Sequence, residues 1–415
     1  QLLASLKEKV TLTLIAEKGQ EDQTTTELLD RYKALSDQIT VRTVDPVVQP
    51  KFTAAYTTAD VAAGSVIVES VKRNKVVAQD EIYLYDYSNY YSTGSYDVSF
   101  AGESALTSAI DYVVSDDLPV VYQLLGHGET AVAGAVKTSI DKANLTVKDL
   151  SLLSLSAVPE DCDAMLIYAP TSDLGSDEVD KIIAYMDKGG HLLLITDYAQ
   201  AARPNLTRLV NNYGVDFANG IVLEGDQNQY VNQYQHYLLP RLGAHAITQP
   251  LIDGKLYALM PAAHGITKLP SYRSTLTVTD LLATTDKAYL RADPNATGVM
   301  ERQASDVSGP FDVGVAVSES VTGGETRLVW FSTSQFLADQ AEAMVGGANK
   351  NLLINSLNWM CKRENSIAIG AKELSEVPLT VPSGTVGLLC AVLAVVLPVA
   401  VLACGIVVVV RRRMR

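Results

Sequence analysis

Residues 119–129 read PVVYQLLGHGE. An apolar run from Pro119 to Leu125 stops at two glycines that flank a histidine, with an acid behind them. The run is too short for a helix and too uniformly apolar for a half-exposed strand, so it is read as a strand buried on both faces. Runs of the same kind follow at Leu145–Leu153, at Ala164–Tyr168 before Ala169-Pro170, and at His191–Thr196 before Asp197. Helical patterns alternate with them. One covers about 130–143; Ser176–Lys188 is amphipathic, with Ser176 as its N-cap and Gly189 as its stop; Asn205–Tyr213 ends at Gly214. Gly220–Leu223 adds a short strand. Continuous apolar strands alternating with helices predict a parallel sheet covered on both faces.

Upstream, Val10–Ala16 alternates and is rich in β-branched residues, which predicts a strand. Thr24–Leu35 carries a helical stripe, Ile39–Val44 is a second strand, and Ser65–Ser70 and Val76–Ile82 form a strand pair. The order suggests a small α/β domain, thioredoxin-like in layout. No Cys-x-x-Cys occurs, so nothing supports a redox role. Residues 83–100 (YLYDYSNYYSTGSYDVSF) hold six of the chain's 20 tyrosines. They read as an exposed hairpin, either a sticky surface or one packed on its own domain. Glu103–Val114 is a helix leading into the second domain. Downstream, residues 225–250 are a polar connection whose Tyr230, Tyr234 and Tyr237 suit one face of a short helix. Leu276–Val278, Val313–Val317 and Arg327–Phe331 read as strands, and Leu352–Met360 as a last helix.

Val386–Val410 (VGLLCAVLAVVLPVAVLACGIVVVV) is 25 residues without a charge. As a helix it would be roughly 38 Å long, enough to cross a hydrocarbon core of about 30 Å with some tilt. A buried core helix is the competing reading, and it is rarely so long or so uniform. Arg411, Arg412, Arg413 and Arg415 follow at once, which places the C-terminus on the cytoplasmic side and the bulk of the chain outside. The expected organisation is a small α/β domain with the tyrosine-rich hairpin over 1–100, a second α/β domain over 101–365, a linker over 366–385, a transmembrane helix over 386–410 and a basic tail over 411–415. The chain starts at Gln1, with no visible signal peptide, so export is expected to need an N-terminal membrane helix or signal sequence outside it.

Composition sets the limits on function. The chain has 415 residues, 47% of them apolar, and a net charge of −14, with four of its cations in the tail. A disordered chain would be less apolar, and a nucleic-acid binder would need a basic footprint. Four cysteines exclude a disulfide scaffold. Cys390 and Cys404 lie in the membrane segment; Cys162 and Cys361 read as buried small hydrophobes, and spacing does not decide whether they pair.

Tests for chemistry mostly fail. No G-x-x-x-x-G-K-[ST] occurs, so the chain is no P-loop ATPase, and G-x-S-x-G and H-E-x-x-H are also absent. The nearest histidines, 236 and 245, are too far apart for a local metal pair, and no metal or cofactor is expected. Asn144, Asn205 and Asn295 begin N-x-[ST] sequons. The constellation that remains is Gly126-His127-Gly128-Glu129, at the carboxyl end of a strand, where open α/β sheets bind ligands. The glycines would admit a ligand, and His127 with Glu129 could handle protons or bind a metal. The alternative is a tight turn with Glu129 at a helix N-terminus. Asp197 ends a neighbouring strand and joins these four as a candidate ligand-binding residue; Glu103 could face the same crevice.

The stretches ITVRTVDP, GSVIVESVKRNKVV, GESALTSAIDYVVSDDLPVVYQLLGHGE, NLTRLVNNYGVDFANGIVLEGD, RLVWFSTSQFLAD and NKNLLINSLNWMCKRENSIAI together resemble the extracytoplasmic part of the GldG family, auxiliary components of ABC-type transport systems. The resemblance covers most of the chain, and G-H-G-E after an apolar strand is its most specific piece. It implies a flavodoxin-like, glutamine-amidotransferase-like fold for the middle region, without that fold's cysteine nucleophile. It also implies a second membrane helix at the N-terminus, and it supplies no catalytic residues. The expected function is a non-enzymatic extracytoplasmic accessory subunit of a bacterial ABC transporter, partnered by separate permease and ATPase chains. The alternatives are a membrane-tethered module binding a glycan or peptide through the tyrosine-rich segments and, behind it, a hydrolase at the G-H-G-E edge.

Overall fold

The computed structural model describes residue 3 and residues 6–86, 96–116, 118–231, 234–292, 301–361 and 372–373. The expected membrane helix over 386–410, the linker over 366–385 apart from residues 372–373, the basic tail, Asn295 and residues 87–95 of the tyrosine-rich stretch lie outside the described residues. Among the described residues no helix is long and apolar enough to cross a membrane. The chain divides into two compact units, Gln1–Leu84 with Phe100–Ala371, and Tyr85–Ser99 with Lys372–Arg415.

The first unit begins with a four-stranded sheet of β1 (Val10–Ile15), β2 (Ile39–Val44), β3 (Val66–Glu69) and β4 (Asn74–Val77), in the order β2-β1-β3-β4. β2 runs parallel to β1, whereas β3 is antiparallel to β1 and β4 antiparallel to β3. Asp22 caps the helix Gln23–Leu35 by accepting from the Thr25 amide at 2.7 Å. Leu29 and Tyr32 of that helix pack with Leu106, Ile110 and Val113 of the helix Gly102–Val114 against β1 and β3. The pairing of Val76–Ile82 with the preceding strand stops earlier than expected. β4 ends at Val77, and Gln79–Ile82 turns into one helical turn that Glu81 closes by accepting from the Ala78 amide at 3.2 Å. β5 (Tyr83–Asp86) and β6 (Asp97–Phe100) follow; with β22 (Lys372–Glu373) they hydrogen-bond in the order β22-β6-β5.

The large sheet has 12 strands. Five are mutually parallel: β8 (Thr146–Leu150), β7 (Val120–Leu124), β9 (Ala164–Tyr168), β10 (His191–Ile195) and β21 (Gly324–Phe331), side by side in that order. Counted along the chain, the order is 2-1-3-4-5. Successive residues point to opposite faces. Val121, Leu166, Leu193 and Phe331 face one core with the helices Gly134–Lys142 and Ala348–Met360. Leu124, Ile167, Leu194 and Trp330 face the other with Ser176–Met186 and Pro204–Asn211.

The expectation of a parallel sheet holds for this half only. Beyond β21 the sheet is antiparallel, through β20 (Asp312–Val321), β16 (His264–Lys268), β11 (Val215–Leu223), β18 (Tyr289–Arg291) and β19 (Val307–Ser308). β14 (Arg241–Leu242) pairs with β17 (Leu276–Ala283), which pairs with β20. The reason is the turn at Thr322-Gly323. Val321 pairs with Gly324, so β20 and β21 form a hairpin and not a crossover. The three tyrosines, read as part of a polar connection that could equally form a short helix, lie instead on β12 (Tyr230–Val231) and β13 (Tyr234–Leu238), antiparallel to each other and joined to β15 (Met260–Pro261). Cross-strand packing overrides the helical spacing there. The helix Ser176–Met186 is capped by Gly175, whose amide donates to Glu178 Oε2 at 2.9 Å, not by Ser176. Cys162 is buried and Cys361 half-buried, and both are free thiols.

Candidate functional site

The five parallel strands end at one edge, so the loops after β7, β9, β10 and β21 lie side by side. The loop after β7 holds Gly126, His127, Gly128 and Glu129. Gly128 has a φ of +75°, and a Cβ there would lie 2.0 Å from Thr171 Oγ1, so this backbone position requires glycine. His127 is buried, with Nδ1 3.0 Å from Glu129 Oε1 and Nε2 2.8 Å from Glu178 Oε2. Glu129 Oε2 accepts from the Gly126 amide at 3.0 Å and the His127 amide at 2.7 Å. The carbonyl of His127 accepts from the amides of Thr171 and Ser172, both at 3.0 Å.

The four residues are therefore brought together, and they close on themselves. A neutral imidazole can donate from only one nitrogen. For both contacts to be hydrogen bonds, the trio must hold one proton beyond a neutral ring and two carboxylates. Glu178 Oε1 is buried and has no partner among the described residues. The crevice between β7 and β9, where strand order reverses and ligands lie in open α/β sheets, is filled by Thr171 and Ser172 bonded to His127. Among the described residues no group of acids, histidines and cysteines is arranged to hold a metal ion.

Asp197 lies two loops away. Its carboxylate accepts from the Ser334 amide at 2.6 Å and the Ser334 hydroxyl at 2.7 Å, so it ties the end of β10 to the end of β21. No hydrogen bond or ion pair between Asp197 and the His127 trio is found among the described residues. What links the loops is Arg203, whose Nη1 donates to the Pro170 carbonyl at 3.2 Å and whose Nη2 donates to the Asp197 carbonyl at 2.8 Å. Glu103 is elsewhere, in the helix over the N-terminal sheet, with its carbonyl accepting from the Tyr32 hydroxyl at 2.9 Å. Of the sequons, Asn144 is buried and bonded to Lys75, and the Asn205 amide donates to the Leu174 carbonyl.

Beside this edge is a cleft of about 550 Å³, lined among others by Tyr198, Arg203, Asn211, Phe217, Asn219 and His264. Its back wall is a fixed polar chain. Trp330 Nε1 donates to Thr196 Oγ1 at 2.7 Å, which leaves the Thr196 hydroxyl proton for His264 Nε2 at 2.8 Å. His264 Nδ1 then donates to the Gly265 carbonyl at 2.9 Å. Burial pulls His264 down to about 4, with Arg203 adding to the shift, so the ring is neutral at physiological pH. Sequence reading missed Glu178, Arg203 and this cleft. Two local signals were present: an acid three residues into a helix, which marks a capping carboxylate, and an arginine just before Pro204 at a helix start.

This is a mixed α/β protein with a doubly covered parallel half and a closed loop cluster at its carboxyl edge. The chain belongs to the auxiliary-component family described as "ABC-type uncharacterized transport system", whose model matches residues 118–358. The match spans the whole large sheet from β7 to the helix Ala348–Met360. No curated protein matches the chain significantly. Among solved structures it is similar to the mmIFT52 N-terminal domain, at 14% identity over 58% of this chain and 97% of that one, with a TM-score of 0.44. It is also similar to PurLQS from Thermotoga maritima (10% identity, 59% and 100% coverage, TM-score 0.27). The exo-beta-1,4-mannosidase Op5Man5 from Opitutaceae bacterium strain TAV5 is a third (10%, 83% and 51%, TM-score 0.28). None of these three likenesses bears on function.

Proposed function

We propose that the chain is a non-enzymatic, extracytoplasmic accessory subunit of a bacterial ABC-type transporter of the GldG kind, working with a separate permease and a separate ATPase. The family match over 118–358 carries this reading. The missing P-loop assigns ATP hydrolysis to another chain. The non-enzymatic part is supported by the loop cluster at the sheet edge, where His127, Glu129 and Asp197 are spent on the chain's own groups. In this reading residues 386–410 serve as the membrane anchor, with Arg411–Arg415 on the cytoplasmic side. The strand order 2-1-3-4-5 supports a flavodoxin-like middle region. The N-terminal order β2-β1-β3-β4 supports a thioredoxin-like layout. Copurification from the native membrane tests the assignment: a permease and a P-loop ATPase should come with the full-length chain.

A second reading is favoured by one observation. Tyr234, His236 and Tyr237 form an aromatic cluster on β13, with ring centroids 4.9–6.0 Å apart and Tyr234 46% exposed. A tethered module holding a glycan on these rings would gain thermal stability from an oligosaccharide and lose that gain on Tyr234→Ala.

A further inference from the structure

Arg203 is a buried cation with no direct ion pair among the described residues; the carboxylates of Asp197 and Asp173 act on it only through space. Only 9% of it is exposed, and its hydrogen bonds to Pro170 and Asp197 both go to main-chain carbonyls. Among the described residues it forms no ion pair, although buried charges are nearly always paired. Two acids near it are committed elsewhere. Asp197 holds Ser334, and Asp173 accepts from the amides of Asn205 and Leu206, each at 2.9 Å, at the start of the helix Pro204–Asn211. A guanidinium has five N–H donors, so Arg203 retains donors beyond its two braces.

The cleft that Arg203 lines is of the size that takes small molecules. Phe217 lies against the guanidinium at 5.4 Å from its ring centroid, and Ala202 and Ala218 supply further apolar wall. Two other charged side chains line the cleft, Arg208 and Asp216. Arg208 pairs with Asp180 at 2.7 Å. Asp216 accepts from the Phe217 amide at 2.8 Å and, in the orientation of Asn211 that satisfies both ends of its amide, from Asn211 at 3.1 Å. His264 in the back wall has both ring nitrogens engaged. Arg203 is thus the buried cation of the cleft, with no direct ion pair among the described residues and with donors to spare.

We propose that this cleft binds a small organic oxyanion, a carboxylate or phosphate monoester with a compact apolar body, whose anionic group pairs with Arg203 and whose body lies on Phe217 and the alanines. The site is independent of the transporter assignment, and it is distinct from the closed G-H-G-E loop.

The test is calorimetric titration of the full-length chain in detergent with 3-phenylpropionate, phenyl phosphate and the neutral 3-phenylpropionamide. At least one anion should bind saturably with a Kd below about 1 mM, and the amide at least about tenfold more weakly, as loss of a charge-assisted hydrogen bond requires. The two anions decide between carboxylate and phosphate. Arg203→Gln should abolish binding. Because Arg203 also braces two loops, Ala202→Phe is the second variant. It fills the cleft from an exposed position, leaves the braces intact, and should weaken binding at least about tenfold at an unchanged melting temperature. No saturable binding of either anion, equal binding of the amide, or binding that survives Ala202→Phe would each overturn the proposal.

Discussion

The imidazole of His127 and the carboxylate of Glu178 meet at 2.8 Å with both side chains out of solvent, joining the loop after β7 to the first turn of the helix Ser176–Met186. Glu129 holds the other side of the ring at 3.0 Å. Removing the ring would leave two carboxylates buried beside each other. His127→Ala should therefore cost about 3 kcal/mol, the scale for breaking a buried pair, and lower the melting temperature by several degrees. Glu178→Gln, which keeps an acceptor for the Gly175 amide, should cost less. An unchanged melting temperature for His127→Ala would show that the trio does not hold the edge together.

Gly128→Ala should destabilise the same loop by a separate route. A side chain in the left-handed region costs about 1–2 kcal/mol, and here its Cβ would also meet Thr171 Oγ1 at 2.0 Å. Adding Thr171→Ala removes that oxygen and should recover part of the loss. Additive melting temperatures for the two changes would contradict the contact, because touching residues couple.

Asp312 sits at the start of β20 beside Asp280, which Lys268 holds at 2.6 Å. Burial, and then the Asp280 carboxylate, raise Asp312 to about 7 against the pull of Lys268. Between about pH 4 and 7 the folded carboxyl keeps a proton that the unfolded chain has lost, so its contribution to stability falls as pH rises through that window. Asp312→Asn should raise stability by on the order of 2 kcal/mol at pH 8 and change it little at pH 4. Denaturation midpoints of both chains at the two pH values measure this, and equal gains at both would refute it.

Burial pushes the thiol of Cys162 up to about 11 and that of Cys361 up to about 12. In a Cys390→Ser, Cys404→Ser background, both should react with an alkylating reagent at pH 8 at least about a hundredfold more slowly than an exposed cysteine. Both should react fully once the chain is denatured. Fast labelling of the native chain would place a thiol at the surface.

The parallel half of the fold was legible because burial on both faces leaves continuous apolar runs. Ala164–Tyr168 has the same bounds in sequence and structure, and His191–Ile195 differs by one residue. The antiparallel half was legible only in pieces: Gly220–Leu223, Leu276–Val278 and Val313–Val317 fall inside β11, β17 and β20, but their full lengths and antiparallel pairing were not. His264–Lys268 (HGITK) carries neither an apolar run nor clean alternation, and it is a strand because β11 and β20 flank it. At the site, G-H-G-E announced a tight turn by its glycines. Its second carboxylate comes from Glu178, 51 residues on, and no local pattern links the two. Pro204 marks the helix start beside Arg203, but that this arginine is buried with no direct ion pair among the described residues is decided by packing alone.

The role proposed for this chain is that of a transporter's accessory subunit. Its most direct test is a mild-detergent pull-down of the full-length protein from its native membrane, with partners identified and quantified by mass spectrometry. The account predicts one P-loop ATPase and one polytopic permease in fixed ratio to this chain. Their absence, under conditions that keep other ABC transporters of the same membrane intact, would contradict it.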